Sequence, residues 1–71
     1  MYKIREYGPK GSEVKEYGVL EQAEKVLREA VEKGAFVLDE ETEEVVSRNP
    51  DFTRALVEER TYVVVSPIAG G

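Results

Sequence analysis

The sequence contains no cysteine and no histidine. Disulfide frameworks, thiolate zinc sites and Ser-His or Cys-His catalysis are therefore excluded within this chain. Long apolar runs are also missing. The longest, Tyr62 to Val65 and the equally long Ala35 to Leu38, fall far short of the roughly 18 residues a membrane span needs. The opening stretch carries Lys3, Arg5 and Glu6 and shows no secretory leader pattern. Bases are outnumbered: 15 Asp and Glu against 10 Lys and Arg give a formal charge of −5. Nucleic acid is not an expected partner, because phosphate recognition rests on clustered Lys and Arg. Asn49, Gln22 and Met1 each stand alone in their type while charged residues reach 35%, a mix common in thermophile proteins. Seventy-one residues supply material for one core and no second. The expectation is a cytoplasmic single-domain module that is handled by partners and is not itself an enzyme.

What is present has clear periodicity. Tyr2 and Ile4 alternate with Lys3 and Arg5, as a half-buried strand does. Gly8-Pro9-Lys10-Gly11-Ser12 is dense in turn formers, and Glu13 to Tyr17 alternates again, so the two segments read as a hairpin. The triplet Glu-Tyr-Gly closes each of them, at Glu6-Tyr7-Gly8 and Glu16-Tyr17-Gly18. Leu20, Ala23, Val26, Leu27, Ala30 and Val31 fall on one helical face. The opposite face offers the i,i+4 pairs Glu21–Lys25, Glu24–Arg28 and Glu29–Lys33. Gly34 stands where a helix ends. Ala35 to Leu38 reads as a buried strand and Glu43 to Ser47 as its return partner. Asn49-Pro50-Asp51 reads as a helix start, with Phe52, Ala55 and Leu56 on one face. Thr61 to Val65 is the most strand-prone stretch and is expected at the centre of the sheet. Leu20, Val26, Leu27, Val31, Phe36, Leu38 and Val64 are the expected core.

This element order, with Tyr62-Val63-Val64-Val65-Ser66-Pro67-Ile68-Ala69-Gly70-Gly71 at its end, resembles the ubiquitin-like β-grasp family. The chain looks most like its small sulfur carriers, such as the molybdopterin-synthase small subunit and the thiamine sulfur carrier. The resemblance implies an α+β fold: a mixed four- to five-stranded sheet packed on one main helix, about 19–33, with a short second helix at about 50–58. Residues 1–66 would be the domain and 67–71 a flexible tail ending in Gly-Gly. The motif-grade part of the match is the last ten residues. Glu58-Glu59-Arg60-Thr61 stands where the sulfur carriers usually have a tight turn rich in Asp and Gly.

The resemblance further implies that the Gly71 carboxylate is adenylated by a partner enzyme, which supplies ATP and Mg, and is used for sulfur transfer or protein conjugation. This chain would bind no cofactor and no metal of its own. Gly70 and Gly71 would thread the activating channel, since glycine has no Cβ and tolerates extended conformations other residues avoid. Pro67, Ile68 and Ala69 would dock the tail. Partners would be the activating enzyme and either a sulfur-accepting synthase subunit or target-protein lysines; Lys3, Lys10, Lys15, Lys25 and Lys33 are the acceptors if the protein forms chains. The alternative is a β-grasp binding or assembly module without tail chemistry, of the kind found in phage tail-assembly proteins.

Two other features stand out. Asp39-Glu40-Glu41-Thr42-Glu43-Glu44 concentrates carboxylates. Its spacing does not match a calcium loop, so it reads as a solvated hairpin tip, and secondarily as an acidic patch steering a basic partner. Tyr2, Tyr7, Tyr17 and Tyr62 read either as an exposed docking patch or as half-buried packing.

Overall fold

A computed structural model describes residues 1–8 and 11–66. Tyr2–Gly8 (β1) and Gly11–Tyr17 (β2) form the expected antiparallel hairpin, in a register that pairs Ile4 with Lys15 and Gly8 with Gly11. Each Glu-Tyr-Gly triplet does lie at a strand end. Leu20–Glu32 is α1, Phe36–Asp39 is β3 and Thr61–Val65 is β4. The sheet order is β2-β1-β4-β3. The central pair, β1 and β4, is parallel, and each outer strand is antiparallel to its neighbour. The result is one helix packed on a mixed four-stranded sheet.

One face of the sheet meets α1. Ile4, Val37, Tyr62 and Val64 point that way and cluster with Ala23 and Leu27. The helix stops as Gly34 predicts. Gly34 takes φ +93. Its N–H donates to the Val31 carbonyl at 2.9 Å, and the Ala35 N–H to that of Ala30 at 3.0 Å. This is the Schellman arrangement, which satisfies carbonyls the helix would otherwise leave open. Among the three i,i+4 pairs, Glu24–Arg28 closes at 3.5 Å. Arg28 also donates to the Oγ1 of buried Thr53 at 3.1 Å, tying α1 to the segment before β4. No helix among the described residues is long and apolar enough to cross a membrane.

Three expectations change. The return strand Glu43–Ser47 is reduced to a single bridge, Leu38 to Val45. Asp39 takes the Glu41 and Thr42 amides on its carboxylate at 2.8 and 3.3 Å, which curls the chain. It then coils into a 3-10 turn at Val46–Arg48, and Ser47 Oγ, not a main-chain carbonyl, accepts the Val37 N–H at 3.1 Å. The second helix at 50–58 is a 3-10 turn of four residues, Phe52–Ala55. Asn49 Oδ1 does accept an amide, that of Asp51 at 3.0 Å. However, Phe52 and its neighbour Thr53 are both buried while Ala55 is exposed, so no single α-helical face forms. The third change is in β3: Phe36, expected in the core, is 57% exposed, and Leu38, also expected there, is half-buried outside the core cluster. Strand side chains alternate, and Val37 and Asp39 take the helix side of β3.

Leu27 is fully buried, so Leu27→Ala removes its transfer energy and leaves a cavity. The expected loss is about 3 kcal/mol in urea unfolding, against under about 0.5 kcal/mol for exposed Phe36→Ala. Gly34→Ala forces a Cβ into the left-handed region and is expected to cost about 1 kcal/mol by the same measurement.

Candidate functional site

The expected reactive end, Gly70 and Gly71, and its docking lead-in, Pro67, Ile68 and Ala69, lie outside the described residues. What the structure describes is the strand that leads to them. β4 is held on both sides, by Lys3 to Glu6 of β1 and by all four residues of β3. Its last residue, Val65, pairs with Phe36, and Ser66 follows, exposed. Beside Ser66 a groove of about 410 Å³ runs between Glu6 and the last turns of α1, at Val26, Ala30 and Lys33.

Among the described residues no helix lies over the sheet face away from α1. Phe36 and Leu38 of β3 lie beside Val65 and Val63 of β4, and Val14 of β2 follows beyond Arg5. Phe36, Val65, Val14 and Tyr7 are exposed. The tyrosines therefore divide. Tyr62 is buried and its hydroxyl accepts the Val57 N–H at 2.8 Å; Tyr2 and Tyr17 are half-buried against the core; Tyr7 stands in solvent. Arg5 ties this face together. Its Nε donates to Glu40 at 2.8 Å, across β4, and its Nη1 to Ser12 Oγ at 3.2 Å on β2.

The acidic run does not present five equivalent carboxylates. Asp39 points inward and is 4% exposed. Arg60 Nη1 reaches its Oδ2 at 2.7 Å, and Arg60 Nε lies 3.5 Å from Glu41. Glu40 is held by Arg5. Glu43 and Glu44 are exposed, and Glu43 takes φ +61. Burial is the largest single influence on the Asp39 carboxyl and pushes its pKa up. The Glu41 amide, the Arg60 guanidinium and the Thr42 amide together outweigh it and hold the pKa below the usual value.

A second acidic element joins from elsewhere. Glu58 and Glu59 turn the chain before β4, with Glu59 at φ +70. With Glu40, Glu41 and Arg60 they line a groove of about 360 Å³. The turn from Val57 to Arg60 closes through the Arg60 N–H to the Val57 carbonyl at 3.3 Å. A tight turn thus precedes β4 even though no glycine is present. Sequence reading missed Arg5 and Arg60 as partners of the acidic run, since no local pattern links residues so far apart. Among the described residues no group of three His, Cys, Asp or Glu converges in a way that could hold a metal ion, and no buried side-chain polar atom lacks a hydrogen-bond partner. The displaced carboxyls, those of Asp39 and Glu59, belong to ion pairs with Arg60 and with the amino group of Met1. No family model, curated protein or solved structure matches this chain.

The Asp39 pKa is lower in the folded chain than in the unfolded one. Its stabilisation is therefore complete above the unfolded value, about 3.9, and is lost as pH falls through the lower folded value. Asp39→Asn is expected to lose about 1–2 kcal/mol at neutral pH, because Arg60 is partly exposed and screened. Urea unfolding from pH 7 down to about pH 2 should show a shallower acid decline for the variant than for the parent chain.

Proposed function

We propose that this chain is a ubiquitin-like β-grasp carrier whose tail, not an internal pocket, carries the chemistry. The observation that supports the reading is the strand order. A parallel central pair flanked by antiparallel outer strands, with one helix across a single face, is compatible with the β-grasp. It also makes the strand that leads into Pro67-Ile68-Ala69-Gly70-Gly71 a central one, anchored on both sides. A tail rooted there can be drawn into another protein without loosening the core.

The chemistry requires Gly71 to be the carboxyl terminus. Its carboxylate oxygen would attack the α-phosphorus of ATP on an adenylating enzyme; the bond to the β-phosphate breaks, and pyrophosphate leaves. A thiolate or hydrosulfide then attacks the acyl carbon. AMP leaves, and a thioester or thiocarboxylate remains. The carrier supplies the carboxylate and a surface for the enzyme. Sulfur carriage is favoured over protein conjugation by the Pro67-Ile68-Ala69 lead-in.

A second reading rests on a different observation. On the helix-free face Phe36 and Val65 stand exposed beside half-buried Leu38 and buried Val63, and such an apolar strip suits a binding or assembly module with no tail chemistry.

Intact-mass analysis separates the two. The native chain is incubated with an adenylating enzyme, Mg-ATP and a sulfur donor. The carrier reading expects an adduct of AMP, or a gain equal to exchange of oxygen for sulfur, both abolished by deleting Gly71. Unchanged mass with every enzyme tried, together with partner co-purification that survives the deletion and is lost in Phe36→Ala, would establish the binding module in its place.

A further inference from the structure

The two edges of the sheet are treated differently. The outer edge of β3 is closed. The Asp39 N–H donates to the Glu44 carbonyl at 3.0 Å and the Val37 N–H to Ser47 Oγ at 3.1 Å. Among the described residues the outer edge of β2 has no such cover: Gly11 to Glu16 are all exposed. The outward groups can be identified. Lys3 directs its amide to β4, at 3.4 Å from the Arg60 carbonyl. By alternation Ile4 and Glu6 direct theirs to β2, where they face Lys15 and Glu13. Ser12, Val14 and Glu16 therefore present their N–H and C=O groups outward. An open edge of this kind is a template for another strand.

We propose that the edge of β2 is a self-recognition surface, pairing antiparallel with β2 of a second copy about a two-fold axis through Val14. Charge selects both occupant and register. A pairing centred on Val14 sets Glu13 opposite Lys15 of the partner copy, twice by symmetry, and Val14 opposite Val14. Centring on Glu13 would oppose two glutamates, and centring on Lys15 two lysines, both destabilising. The Val14-centred pairing also places the outward amides of Ser12, Val14 and Glu16 in hydrogen-bonding positions. Within one copy Glu13 faces Glu6 directly across the hairpin, a like-charge pair that Lys15 offsets from 3.8 Å on the Glu6 side. The incoming lysine would supply the missing positive charge on the Glu13 side. The proposal does not depend on the tail chemistry.

A single strand edge is small beside a standard interface, so the association expected is weak and reversible. Sedimentation equilibrium up to about 1 mM should show a reversible dimer that Glu13→Lys and Lys15→Glu each weaken about tenfold or more. The double variant carrying both changes restores the complementary pairs and should recover the parent constant, and an equimolar mixture of the two single variants should form a heterodimer. Far-UV circular dichroism confirms that each variant is folded. Hydrogen exchange adds a residue-level readout: the amides of Ser12, Val14 and Glu16 should slow with rising protein concentration. A chain monomeric throughout this range, or single variants that dimerise as well as the parent, would overturn the proposal, as would exchange at those amides that ignores concentration.

Discussion

The fold depends on one non-local pairing, the parallel alignment of β1 with β4. Ile4 beside Tyr62 and Glu6 beside Val64 place the two most separated strands of the chain next to each other at the middle of the sheet. Each then carries a neighbour on its outer side, and α1 can close over both. Parallel neighbours need a long crossover, and here β2, α1, β3 and the two 3-10 turns supply it. Ile4, Leu27, Val37, Tyr62 and Val64 become core only when that pairing exists. Residues that precede β4 can form the hairpin and the helix, but they have no completed apolar face to bury.

The connection into β4 is made with side chains where regular structure is absent. Asp39 gathers two amides and a guanidinium, Ser47 completes the edge of β3, and the Tyr62 hydroxyl receives the Val57 amide. Each satisfies a polar group that an irregular segment would leave unpaired at a cost. This explains how residues 40 to 60 cover one end of the sheet with so little repetitive hydrogen bonding. It also shows why the acidic run is not a uniform patch: Asp39 is turned inward while Glu43 and Glu44 stay exposed.

Legibility in the sequence followed the range of the interaction. The hairpin, α1 with its Gly34 stop, and the central position of β4 were readable from alternation, helical spacing and β-branched content. Val45 and Val46 carry the same β-branched signal, yet the turn built by Asp39 diverts them. Phe36 was misread because an apolar run does not say which parity meets the helix, and Val37 took that side. Arg5 and Arg60 could be seen as charges, but their carboxylate partners lie across strands that had first to be put in order. The tail residues on which the functional reading turns were legible as a motif alone, since they lie beyond the described part of the chain.

The closure of the β3 edge by residues 44 to 47 has a consequence for polymerisation. A sheet with two open edges is bivalent and can grow end to end without limit. With β3 closed, the sheet is monovalent: one added strand exhausts its capacity. Any edge-to-edge association through β2 must therefore terminate at a finite particle, and the device that terminates it is a serine side chain and one irregular turn.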